Sequence, residues 1–113
     1  MKRIVAACLA LAAAPALAQE TFVCNGDAPG WTLTLGADTA AFHLAYATEM
    51  QVRHETAAEG RAWPRAFTLI GDRDTAILLI ERAPCGDAPY RARVFTQRGQ
   101  TPILLAGCCE AAP

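Results

Sequence analysis

Cys24, Cys85, Cys108 and Cys109 are the residues of this chain best suited by type to covalent chemistry. With Cys8 falling in an expected export signal, the even count of the other four in a small exported chain reads as two disulfides rather than as reactive thiols. Redox dithiols are spaced Cys-x-x-Cys at a helix N-terminus, which stabilises the thiolate, and the adjacent Cys108-Cys109 has neither that spacing nor a helix. Four cysteines allow three connectivities. Joining the two neighbours demands a strained small ring. On a strand their side chains point to opposite faces, so each takes a different partner. Cys85–Cys108 with Cys24–Cys109 is the favoured set, and the exchanged pairing stands next to it.

The other reactive residue types offer less. His43 and His54 fall on different expected strands, and Met50 lies about 13 Å along an extended strand from His54, so they cannot share one ion directly. Asp72 and Asp74 beside Gly71 resemble the opening of a calcium loop, but the ligand spacing and the distal glutamate of such a loop are missing. A hairpin turn accounts for them. The chain has no serine, which excludes a Ser–His–Asp hydrolase, and a cysteine nucleophile needs a free thiol. No carboxylate pair stands out for glycoside chemistry. The expectation is a non-enzyme with no metal and no cofactor.

What remains is recognition. Tryptophan and arginine concentrate at interface hot spots, which draws attention to Trp31, Trp63 and the arginines Arg91, Arg93 and Arg98. The competing reading makes both tryptophans core and the arginines a solvated strand face. Trp31, in register on a strand, fits the core. Trp63, beside Pro64, fits either role. The expected binding surface is therefore Trp63, Arg91, Arg93 and Arg98.

The elements that must position these residues are strands. Short runs of period-two alternation, broken by turn residues roughly every ten positions, are the all-β signature. Thr21 to Cys24 is a first strand, followed by a turn over Asn25–Gly30. Trp31, Leu33 and Leu35 share a face of the second; Phe42, Leu44 and Tyr46 share a face of the third; Met50, Val52 and His54 share a face of the fourth. Glu55 to Glu59 could form one helical turn before Gly60. Ala66 to Ile70 and the nearly all-apolar Thr75 to Glu81 flank the turn at Gly71–Asp74, the latter reading as a central strand. Tyr90, Ala92 and Val94 alternate with Arg91, Arg93 and Phe95, and Pro102 to Gly107 runs into the cysteine pair. Seven or eight strands in meander order close into a small antiparallel barrel or a two-sheet sandwich.

The ends set the compartment. Lys2 and Arg3, the apolar Ile4 to Ala14, Pro15 and the small-x-small Ala16-Leu17-Ala18 form a tripartite export signal. Cleavage after Ala18 leaves a single domain over residues 19–113. The apolar run falls short of the about 20 residues needed to cross a bilayer, so no membrane anchor is expected, and Cys8 leaves with the signal. Losing Lys2 and Arg3 reduces the 10 basic residues to 8 arginines against 11 acidic residues, a net charge of −3. Such a surface repels polyanions, which makes nucleic acid and anionic lipid headgroups poor candidates for partners, and no nucleic-acid partner is expected. Abundant alanine and arginine with no lysine beyond Lys2 is the codon bias of a GC-rich bacterial genome.

Cys24-Asn25-Gly26-Asp27-Ala28-Pro29-Gly30-Trp31, Cys85-Gly86-Asp87 ahead of Tyr90, and Gly107-Cys108 together resemble a family of uncharacterised bacterial exported and lipoprotein-type small β proteins. That family carries an early Gly-x-Glu-Pro-Phe-Trp box, a Cys-x-Asp-x-Met-Ser segment before a tyrosine, and a terminal Gly-Cys. Here Asp27-Ala28-Pro29-Gly30 replaces the Glu-Pro-Phe part, and no Met-Ser follows Asp87. The resemblance implies a small β domain in which Cys85 pairs with Cys108, and it brings no activity. Small exported barrels with an early and a late cysteine are also similar to periplasmic inhibitors of C-type lysozyme, although the Ser-Gly-x-x-Tyr-type loop of those inhibitors has no match here. The expected function is a non-catalytic, monomeric protein of the bacterial periplasm, or secreted, that binds a protein or small ligand through loops at one end of the barrel. Inhibition of a secreted hydrolase such as lysozyme is the alternative.

Overall fold

Alternating side chains close eight antiparallel strands into a barrel in a computed structural model that describes residues 21–98 and 100–112. The expected signal segment lies outside the described residues. The strands are β1 (Phe22–Asp27), β2 (Gly30–Leu35), β3 (Thr39–Leu44), β4 (Tyr46–Ala57), β5 (Arg65–Ile70), β6 (Thr75–Glu81), β7 (Tyr90–Arg98) and β8 (Thr101–Ala111). Each pairs with its neighbours in sequence, and β1 pairs with β8 to close the ring. Of the two expected architectures, the barrel is the one formed. The β2–β3, β4–β5 and β6–β7 connections lie at one end with both termini, here called the seam end. The other four turns make the opposite end.

An eight-stranded barrel is just wide enough for side chains to fill it. Leu33, Leu69, Leu78, Ile80, Ala92 and Val94 are fully shielded from solvent, and Phe22, Phe42, Met50 and Leu105 pack with them. Ligands must therefore be met on the outside or at the rims.

Several boundaries differ from expectation, each through pairing that no local pattern encodes. Asn25 to Asp27 belong to β1 because they pair with β2, which leaves a turn of only Ala28-Pro29. Tyr46 opens β4 instead of ending β3, since Ala45 takes a left-handed conformation (φ 70°) and reverses the chain. Thr56 and Ala57 pair with Ala66 and Arg65, so strand replaces the expected helical turn. A register shift between Val52 and His54 breaks the face they were expected to share. In β6 only Ala76, Leu78 and Ile80 point inward, and Ile77 is exposed.

The ring closes where the chain ends meet. The β1–β8 ladder has four paired positions, Phe22↔Ala111 to Asn25↔Cys108, while β7–β8 runs from Tyr90↔Cys109 to Arg98↔Thr101. Two devices reinforce the seam. The Cys24–Cys109 disulfide crosses it inside the barrel at a directly paired position, Cα–Cα 4.0 Å. Beyond Asn25, the buried Trp31 indole fills the space left by Gly26 and Gly107, and its Nε1 donates to the Ala106 carbonyl at 3.2 Å. A Cβ on Gly107 would overlap the Asn25 carbonyl oxygen and come within 2.7 Å of Trp31 Cζ2. Backbone on one side and an enclosed ring on the other leave it nowhere to go. Gly107→Ala is therefore expected to destabilise the barrel by about 2–3 kcal/mol, as overpacking of a tight core does, measurable by urea unfolding.

The second disulfide, Cys85–Cys108, lies on the outer side of β8 with a Cα–Cα distance of 5.6 Å and ties down the β6–β7 connection. Both members of the favoured set are thus formed. The adjacent cysteines do point to opposite faces: Cys109 is in the core, and Cys108 is half-buried outside.

Candidate functional site

The expected binding residues do not form one surface. Trp63 sits at the seam end in an aromatic plug, its ring 5.2 Å from Tyr90 and 6.4 Å edge-on from Phe22. The Arg65 guanidinium covers it at 4.1 Å from the ring centroid. Arg91 and Arg93 are on the outer face of β7, where Arg91 donates to the Pro84 carbonyl at 3.3 Å and Arg93 pairs with Glu81 at 3.3 Å. Arg98 is the correction. It is five and seven positions on from Arg93 and Arg91, an odd offset that turns it to the inner face at the opposite end. The placement follows from the strand period of two.

There Arg98 anchors the most heavily built polar cluster among the described residues. Its side chain is 10% exposed, and its Nε lies 3.2 Å from Oδ2 of the buried Asp74. That contact is one of charge, because Nε is not aligned to donate into the carboxylate. The other guanidinium nitrogens donate to the Leu44 carbonyl and, at 3.4 Å, to Thr48 Oγ1. Asp74 Oδ2 also accepts long hydrogen bonds from the Tyr46 hydroxyl at 3.3 Å and from Thr48 Oγ1 at 3.4 Å. The guanidinium stacks on one face of Tyr46, 4.1 Å from the ring centroid, with Phe42 beneath at 5.0 Å. Desolvated charges persist only when paired and hydrogen-bonded, and this network supplies both.

The consequence is a rigid aromatic platform. Tyr46 is held by its hydroxyl and by one ring face, yet it is 52% exposed. It follows Ala45, whose left-handed backbone is unfavourable for a residue with a Cβ; strain of this kind concentrates at functional sites. Tyr46 borders a groove of about 730 Å³ lined also by Thr48, Glu49, Gln51, Arg53, Asp72 and Arg73. The groove exists because β4 overhangs β5. Their ladder begins only at Gln51↔Ile70, so Tyr46 to Met50 have no β5 partner and run beneath the Gly71–Asp74 turn, closed by Gly71 N donating to Asp74 O at 2.8 Å.

His43 and His54 are exposed on β3 and β4, and no group of three His, Cys, Asp or Glu side chains is placed to hold a metal among the described residues. The expected turn at Gly71–Asp74 is present, but Asp74 does more than turn the chain. Tyr46, Thr48 and Asp74 were not foreseen as a site. The signal for Asp74 is its parity: it is on the same pleat as Ala76, Leu78 and Ile80, so its carboxylate must find a partner inside. No protein-family model, curated protein or solved structure matches this chain.

Proposed function

We propose that this chain is a non-catalytic binding protein of the bacterial envelope, acting in the periplasm or after secretion, and that it takes a sugar ligand on the Tyr46 platform. The observation that carries this reading is an aromatic ring immobilised from below and open from above, at the edge of a polar groove. The C–H face of a pyranose is apolar and packs on an aromatic face, whose electron density attracts those polarised hydrogens. Farther along the groove, Glu49, Gln51, Arg53, Asp72 and Arg73 offer planar groups suited to the hydroxyls or amides of a longer ligand. The groove carries both signs of charge, which favours a neutral ligand over an anion. Two disulfides are compatible with an oxidising compartment, where envelope glycans are met.

Co-sedimentation with purified peptidoglycan sacculi tests the reading. Tyr46→Ala is expected to weaken binding at least roughly tenfold, as loss of a central aromatic anchor does, while Tyr46→Phe keeps the stack and most of the affinity. Equal binding by wild type and Tyr46→Ala would rule out the platform.

A second reading, inhibition of a secreted hydrolase such as lysozyme, draws on the β6–β7 connection. Cys85–Cys108 pins it, and reciprocal backbone bonds of 2.9 Å between Cys85 and Ala88 tighten its tip. Rigid, preorganised loops are what a tight enzyme inhibitor presents. That reading expects lysozyme inhibition that disappears when the exposed Asp87 is changed.

A further inference from the structure

The overhang of β4 leaves an open strand edge inside the groove. Along an antiparallel strand the N–H and C=O of one residue point to the same side, and those of the next residue point to the other. The Val52 N–H donates to the Asp38 carbonyl at 2.8 Å, which fixes the two sides. The backbone groups of Tyr46, Thr48 and Met50 therefore turn towards β3, and those of Ala47, Glu49 and Gln51 turn away from it. Gln51 meets Ile70, where the β4–β5 ladder begins. Ala47 and Glu49 pair with no described strand on that side, and both are exposed in the wall of the groove. Gly71 approaches the Glu49 carbonyl but gives its own N–H to Asp74, so the turn does not complete the edge. Unpaired edge groups are a template for another extended chain.

We propose that the ligand of the Tyr46 platform is a sugar that carries a peptide, and that the peptide adds to this edge as a short strand parallel to β4. The inference rests on the sugar reading and extends it to a second part of the same ligand. The order of the free groups is the argument. From the Tyr46 end the edge offers the Ala47 carbonyl and then the Glu49 N–H, one on each side of Thr48. A single residue of a parallel strand satisfies both, giving its N–H to the first and accepting with its carbonyl from the second. Ala47 follows Tyr46 directly, so a chain leaving a sugar stacked on Tyr46 reaches the Ala47 carbonyl first. A peptide joined to the sugar through its own N-terminus, as in bacterial wall glycans, leads with an N–H and runs in the direction of β4. The Glu49 carbonyl, against which Gly71 packs, is not called on. A sugar hydroxyl both donates and accepts, so a bare glycan gains nothing from this fixed order, whereas a peptide matches it.

Calorimetric titration of the oxidised protein with two uncharged probes is the experiment. One is the diamide of N-acetylmuramyl-L-alanyl-D-glutamic acid; the other is the methyl ester of N-acetylmuramic acid, which has the sugar and no peptide. The peptide-bearing probe is expected to bind about tenfold more tightly, the worth of two net hydrogen bonds. Tyr46→Ala is expected to weaken both probes by a similar factor. Glu49→Pro removes the groove-facing N–H and spares the bonds to β3, which come from Thr48 and Met50. It is expected to abolish the preference for the peptide-bearing probe, which Glu49→Ala retains. Amide exchange on the wild type gives a readout that needs no variant. The Glu49 amide should slow with the peptide-bearing probe and not with the ester, while Thr48 and Met50 stay protected throughout. Equal affinity for the two probes would overturn the inference and leave the sugar reading standing. A preference that survives Glu49→Pro, or a Glu49 amide that does not slow, would overturn it too, and binding of neither probe would remove both readings.

Discussion

Replacing Cys24 and Cys109 together by alanine is expected to cost about 4–5 kcal/mol of folding stability, the largest effect of any small change in this protein. The bridge links positions 85 residues apart, so in the loop-entropy account it restricts the unfolded chain over nearly the whole barrel. It also spans one of the two shortest ladders of the barrel. β2–β3 is as short a ladder as β1–β8, but a brief turn holds its strands together, whereas β1 and β8 meet only after all the intervening strands have formed. Both sulfurs are in the core, so their loss removes packing as well. The Cys85/Cys108 double variant, closing 23 residues, is expected to lose about 3 kcal/mol. Urea unfolding of the two variants checks the order. A domain of this size has only about 5–15 kcal/mol in total, so the first variant should be largely unfolded in mild denaturant.

The second large effect concerns the charge at the opposite end. Asp74→Ala leaves the Arg98 guanidinium in a site with 10% exposure and no counter-ion, which is expected to cost about 3–5 kcal/mol. Replacing both partners, as Asp74→Ala with Arg98→Met, removes the uncompensated charge and should recover more than half of that loss. Thermal unfolding of the two single variants and the double variant measures the coupling directly. If the double variant is as unstable as the sum of the singles, the pair is not the unit described here. The same substitutions release Tyr46 from below, so sugar binding should fall even where the barrel remains folded.

Much of the barrel is legible in the sequence because a half-buried strand writes its period onto the chain. Trp31, Leu33 and Leu35 alternate with threonines and do point inward. The same rule places Arg98 inside, since it shares parity with Ala92, Val94 and Thr96; grouping it with Arg91 and Arg93 as a basic face ignored that offset. The apolar run of β6 misleads for a different reason. Ile77 reads as core from composition, but a barrel strand has only one buried face, and Ile77 is on the other. The Tyr46 groove was least accessible. It depends on how far β4 overhangs β5, a register set by the whole ring, and on a left-handed Ala45, which no residue type announces. The cysteines were the easiest to read: adjacency and strand geometry narrowed three connectivities to two, and Cys24 directly opposite Cys109 resolves the remainder.

Chemical-shift mapping of the isotope-labelled protein titrated with chitotetraose, a soluble stand-in for an N-acetylated envelope glycan, tests the central claim most directly. Perturbations should be confined to Tyr46–Gln51 and Gly71–Asp74, on the groove and around the platform. Perturbations clustered instead around Trp63 and the Cys85 loop, or none at millimolar sugar, would contradict it.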